Sequence, residues 1–193
     1  METALASRPE IAIEINWHTF QLNPMMPREG MNREDYLDLK FDSPDKAKRL
    51  YANISTVGEE LGINFEFTKI QRTPNTLLAH RLIRYAKIYG AEMQSQIVEQ
   101  LFNSYFIDGE DIGNIEILTE LGFRNGIPND DLYGYLKSEK DLKAVKQEDM
   151  EARQLGIQGV PFFILDGQYA ISGAQEPEAF HPLFDMLAAQ IAL

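Results

Sequence analysis

The sequence predicts an α/β protein in which an N-terminal strand and a C-terminal hairpin flank a long helical stretch. Three observations carry this. Residues 10–17, EIAIEINW, alternate apolar and polar positions strictly. Residues 32–155 repeat apolar positions at three- and four-residue intervals. Residues 160–172 contain two runs of strand length around Asp166-Gly167, a tight-turn signal.

The first strand places Ile11, Ile13, Ile15 and Trp17 toward a core and Ala12, Glu14 and Asn16 away from it. Trp17 and Phe20 read as core residues. The following FQLNPMMPREGM holds two prolines and a glycine and suits a loop. Asn32 with Asp35 supplies a cap and a first-turn acid for a helix carrying Tyr36, Leu37 and Leu39. Ser43-Pro44 starts a second helix that runs through Leu50, Ile54 and Val57 to Gly62. INFEF, 63–67, is a short extended piece. Thr73-Pro74-Asn75-Thr76 opens a helix to Gly90, and another follows through Ile97, Leu101 and Phe102. Three further helical stretches lie at 111–123, 130–136 and 140–155. VPFFIL (160–165) and QYAIS (168–172) are the hairpin strands, and a helix from Pro177 to Ala192 closes the chain. The expected organisation is one domain, 1–193, with an α/β part at about 1–20 and 156–193 and a helical insertion at about 32–155.

The chain has 193 residues, with 30 acids against 18 bases and a net charge of −12. Such a surface disfavours nucleic acid and anionic membranes as partners. No stretch approaches the ~20 apolar residues that span a bilayer. METALASRPE lacks a basic flank followed by an apolar run, so the cytoplasm is the default compartment. Cysteine is absent, which removes thiolate nucleophiles, dithiol couples and disulfides from this chain's own chemistry. His18, His80 and His181 are too scattered to suggest a metal site. From Phe67 to Ala91 there are five cations, Lys69, Arg72, Arg81, Arg84 and Lys87, and no acid. That stretch reads first as a solvated helix face, and second as an anion site at a helix N-terminus.

Gly156-Ile157-Gln158-Gly159-Val160-Pro161-Phe162-Phe163-Ile164, followed by a turn and Ser172-Gly173-Ala174-Gln175, resembles the last third of a DsbA-like thioredoxin domain. Phe20-Gln21-Leu22-Asn23-Pro24, Pro74 to Leu82 (PNTLLAHRL) and Leu101 to Asp111 (LFNSYFIDGED) are similar to the FrnE-type branch. Members of that branch are described as predicted dithiol-disulfide isomerases or polyketide-biosynthesis proteins. The resemblance runs from about Ile11 to Leu187. It implies a thioredoxin-like fold with a helical insertion, and a cis Val-Pro peptide facing the redox site. The sequence departs from the family at its opening: the first motif strand and its Cys-x-x-Cys turn are missing, and no serine stands in for them. The loss of a central strand leaves two sheet edges without partners, at ~1–3 kcal/mol for each unmade buried hydrogen bond.

No catalytic residue is assigned. The resemblance implies a substrate edge at Val160 and Pro161, an anion pocket at Gly173, Ala174 and Gln175 such as related proteins use for the γ-glutamyl carboxylate of glutathione, and a lid motif with Asn75 and His80. Against these stand plainer roles: Gln175 as a helix starter, Asn75 as a cap, and His80 as a satisfied helix histidine. The implied function is that of a thiol-disulfide oxidoreductase or isomerase family protein, redox-inactive alone. A peptide- or glutathione-binding module is the alternative. A relative of the glutathione-dependent isomerases and transferases has the least support, since those also use an N-terminal Ser or Cys turn. The expected partners are an extended peptide, a protein thiol or a glutathione-like molecule, with a homodimer as a further option. No metal is expected, and glutathione is the one cofactor considered.

Overall fold

The computed structural model describes residues 2–41 and 43–191. Helix α1 (Glu2–Ala6) leads into an extended stretch without ladder partners that reaches the loop before β1 (Met31–Asn32). Helices α2 (Arg33–Lys40) and α3 (Pro44–Glu60) follow, and β2 (Arg72–Thr73) pairs antiparallel with β1. This two-residue ladder ties the start of α2 to the approach to α4 (Leu77–Ala86). Gly30 permits it: φ is 72°, and a Cβ there would meet the Thr73 carbonyl oxygen at 2.6 Å. Helices α5 (Ala91–Asn103), α6 (Ile115–Arg124), α7 (Asn129–Lys137) and α8 (Leu142–Gln154) complete the helical part. The hairpin of β3 (Phe162–Leu165) and β4 (Tyr169–Ser172), then α9 (His181–Ile191), end the described chain.

Helix starts follow their caps. Asn32 Oδ1 accepts from the amides of Glu34 and Asp35, and Ser43 Oγ accepts from Lys46 N ahead of Pro44 at the first helical position. Asn114 caps α6 by accepting from Glu116 N and Ile117 N, which starts that helix later than the expected Asp111. Similarly α9 begins at His181 rather than Pro177, because Pro177–Ala179 form a separate 3-10 turn. Leu165 pairs with Tyr169 across a three-residue loop, 166–168, in which Asp166 and Gly167 both have positive φ, 50° and 66°, and Gln168 N donates to the Leu165 carbonyl.

Two cores result. The larger gathers Leu82, Ile97, Leu118, Ile127 and Leu132, all fully buried, between α4, α5, α6 and α7. The smaller holds Ala4, Phe180 and Phe184, with Ile11, Phe163, Leu165 and Ile171 against them. The Phe163 and Phe180 rings meet edge to face at 5.1 Å. Arg8 pairs with Asp185 at 3.0 Å, joining the chain just after α1 to α9. Among the described residues no helix is long and apolar enough to cross a membrane.

Two expectations are corrected. Residues 10–17 form no strand: no described strand lies beside them, and of the alternating apolar residues Ile11 reaches the smaller core while Ile13 and Trp17 do not. Ile13 and Trp17 are exposed, so Trp17 is not core. The positive stretch 67–91 is a solvated face in part: Lys69, Arg84 and Lys87 are exposed, and Arg81 is not. Arg81 is buried, Arg84 pairs with Asp141 at 3.6 Å, Lys69 Nζ donates to the Ile107 carbonyl, and Arg72 Nε donates to the Glu29 carbonyl. Four of its five cations have hydrogen-bond or ion-pair partners within the chain, which charge spacing alone does not reveal.

Candidate functional site

At the mouth of the hairpin, Gly156 (φ 84°) ends the turn after α8 and the chain turns into β3 through a cis Val160–Pro161 peptide. The Pro161 carbonyl accepts from Gly173 N at 2.8 Å, closing the open end of the hairpin, and Gly173 takes φ 80° to make that reach. Val160, Pro161, Gly173, Ala174 and Gln175 are therefore brought to one end of the hairpin. Gln175 Nε2 donates back to the Ser172 carbonyl at 3.0 Å. The turn that follows these residues is the short 3-10 segment, not the N-terminus of α9, so a helix-end anion pocket is not built there.

β3 has β4 on one side and, among the described residues, no strand on the other. Val160 and Ile164, 50% and 53% exposed, stand on or beside this free edge. An edge strand of this kind is a template for a further extended segment.

Asn75 and His80 lie elsewhere, on the approach to α4 and within it. Asn75 Nδ2 donates to the Met26 carbonyl at 2.7 Å while its Oδ1 accepts from Leu77 N, so it is a cap that also anchors the loop before β1. His80 Nε2 donates to the Phe20 carbonyl at 3.1 Å, which fixes its neutral tautomer, and Nδ1 is buried with no partner among the described residues. Burial pushes the His80 pKa below its ordinary value, outweighing the Phe20 hydrogen bond and the charges of Asp149 and Glu148. Among the described residues no hydrogen bond joins either side chain to the hairpin mouth.

His80 belongs to a second constellation, which the sequence reading did not single out. Gln94 grips the backbone of Trp17 twice, accepting from its N–H at 3.0 Å and donating to its carbonyl at 3.2 Å. The Trp17 indole N–H reaches Ser95 Oγ, and His18 Nδ1 and Thr19 Oγ1 each donate at 2.7 Å to one oxygen of Glu148. Asp149 accepts from Gln21 N at 2.7 Å, Arg153 donates to the Gln21 carbonyl, and the Arg153 guanidinium lies 4.5 Å from the Phe20 ring centre. Side chains from α4, α5 and α8 thus hold residues 17–21 extended, in place of a sheet. Burial raises the Glu148 pKa, but the hydrogen bonds from His18 and Thr19 and the His18 charge win and bring it down to about 2. The one sequence signal of this clasp was the Asp149/Arg153 pair, four residues apart on one helix. Gln94 and Glu148 carried none.

A family model for the DSBA-like thioredoxin domain matches residues 1–185. The uncharacterized protein YwbO of Bacillus subtilis (strain 168) is 27% identical over 171 residues, covering 87% of this chain and 79% of that protein. A probable DsbA oxidoreductase from Streptomyces coelicolor superposes with a TM-score of 0.84 at 27% identity, covering 96% of this chain and 80% of that one. A putative protein disulfide isomerase from Nitrosomonas europaea has a TM-score of 0.65 at 20% identity, over 77% and 76% of the two chains, a likeness of fold alone.

Proposed function

The chain belongs to the DSBA-like thioredoxin domain family, and from that premise we propose that it binds extended peptide segments of protein substrates along the free edge of β3, beside Val160 and Pro161. It does so as a FrnE-type relative of the thiol-disulfide oxidoreductases and transfers no disulfide by itself. The observation that carries the reading is the open β3 edge, with exposed Val160 and Ile164 and no described strand beyond it. Backbone N–H and C=O groups on such an edge supply affinity, and side chains at alternate positions supply selectivity. The absence of cysteine leaves no thiolate in this chain to attack a disulfide. The FrnE-type assignment rests on Phe20 to Pro24, Pro74 to Leu82 and Leu101 to Asp111. The glutathione reading has less behind it, since an amide N–H of Gln175 is committed to Ser172.

The test pairs two assays on the full chain. Fluorescence anisotropy with a labelled, reduced, unfolded peptide should show saturable binding that weakens at least tenfold in Ile164→Lys, which places a charge on the edge. Insulin reduction should stay at the buffer rate. Peptide affinity equal in the variant would remove the edge from the account, and insulin reduction above buffer would refute the redox-silent reading.

A further inference from the structure

A cleft of about 280 Å3 opens between the loop at 21–28, the first turn of α4, the turn after α7, and α8. No residue of the hairpin mouth lines it. Three cations do, Arg28, Arg81 and Lys146, with apolar side chains including Met26, Leu78 and Leu142, and not one Asp or Glu. On a chain of net charge −12 that lining is an inversion of the general surface.

Arg81 is the unusual member. It is 2% exposed, and its Nε, Nη1 and Nη2 donate to the carbonyls of Lys140, Leu136 and Tyr135 at 2.9, 2.9 and 2.7 Å. Two of those carbonyls belong to the C-terminal turn of α7, which carries roughly half a negative charge. Among the described residues no carboxylate bonds to Arg81; besides the three carbonyls its guanidinium lies 4.9 Å from the Tyr135 ring centre, so a full buried cation is balanced by dipoles and a ring face, whereas buried charges are normally paired. Its neighbour one turn on, Arg84, does have an acid, Asp141. At the rim, Arg28 and Lys146 are exposed and make no hydrogen bond or ion pair among the described residues. Gln21 and Pro24 from one family-like segment and Asn75, Leu77 and Leu78 from the other meet in this lining, so two stretches far apart in sequence converge on one cavity.

We propose that this cleft binds a small amphiphilic anion, a carboxylate whose head group is held by Arg28 and Lys146 in the field of buried Arg81 and whose apolar body lies against Met26, Leu78 and Leu142. The volume lies just under the roughly 300–1,000 Å3 range of ligand pockets, which suits a small ligand. The guanidinium fork of Arg28 can take both oxygens of such a head, and the apolar wall adds affinity in proportion to the area covered.

The experiment titrates the full chain by calorimetry with octanoate, octanol and octyl phosphate, and repeats octanoate with Arg28→Gln and Lys146→Gln. Both sites are exposed, and circular dichroism verifies that the variants stay folded. Saturable octanoate binding that weakens at least tenfold in each variant, with no saturable octanol binding, is the expected result. Octyl phosphate binding without octanoate binding overturns the carboxylate assignment. Absent octanoate binding, equal octanol binding, or affinity unchanged in both variants overturns the site. None of these readouts depends on peptide capture at β3.

Discussion

The helical part and the hairpin end are built to different standards of completeness. Around α4 the core side chains Leu82, Ile97, Leu118, Ile127 and Leu132 are fully enclosed by neighbouring helices. At the hairpin no residue of β3 or β4 is fully buried, and only Ala4, Phe180 and Phe184 close a small core behind it. The difference follows from where backbone hydrogen bonds are made. A helix satisfies its own and needs only one apolar stripe covered. A strand makes its hydrogen bonds with neighbours, and among the described residues β3 has one, at one edge. An element left open in this way is where a fold receives another segment, and an element closed on all sides is where it keeps its stability.

The sharpest way to break that contrast is a pair of truncations. Leu82→Ala should lower unfolding free energy by about 2–5 kcal/mol, the usual cost of a large-to-small change in a closed core. Ile164→Ala should change it by no more than about 0.5 kcal/mol, as exposed substitutions do. Urea denaturation followed by circular dichroism measures both, and comparable losses would erase the distinction.

The clasp on residues 17–21 offers a finer cut, because it replaces a ladder by side chains. Asp149→Ala removes a buried carboxylate that holds Gln21 N and Arg153 together, and about 1.5–3 kcal/mol should be lost locally, as for other hydrogen bonds to charged groups. Hydrogen exchange should then accelerate at the Trp17 and Gln21 amides and leave α6 and α7 unaffected. Equal acceleration throughout would mean that the clasp and the helical core unfold as one unit.

The pH dependence tests the same clasp through its charges. The folded-state pKa of His80 lies below its ordinary value near 6.5, so the unfolded chain takes up the proton first. The stability it contributes is complete above that value and declines as pH falls below it. Glu148, lowered from 4.5 to about 2, adds a second loss that starts below 4.5 and runs toward 2. Thermal melts from pH 8 to pH 3 should therefore fall in two stages, and His80→Gln should abolish the first while keeping the second. A single acid transition unchanged in that variant would show that His80 is not the group responsible.

Much of the architecture is legible in the sequence. Asn32, Ser43-Pro44 and Asp166-Gly167 announce their caps and turn through local chemistry, and local chemistry is what the structure uses at those positions. Residues 10–17 misled for the opposite reason. Their alternation is a property of the segment, but a strand is a property of a pair, and no described strand stands beside them. Arg81 departs from the solvated face of 67–91 for a like reason, since a side chain's partner can lie some sixty residues away, as the Lys140 carbonyl does. The hairpin mouth was legible because Val160-Pro161 and Gly173 to Gln175 flank one turn, whereas the clasp joins residues 17–21 to α4, α5 and α8 across most of the chain.

What the sequence determined by itself, then, is the order and type of the helices, the hairpin, the absence of any thiol and the family it resembles, because each rests on nearest neighbours, composition or motif. The tertiary structure alone decided that residues 17–21 are held by Gln94, Glu148, Asp149 and Arg153, and that Arg81 is buried beneath a cationic cleft. Those are relations between distant residues, and they exist only once packing has brought the partners within reach of a hydrogen bond.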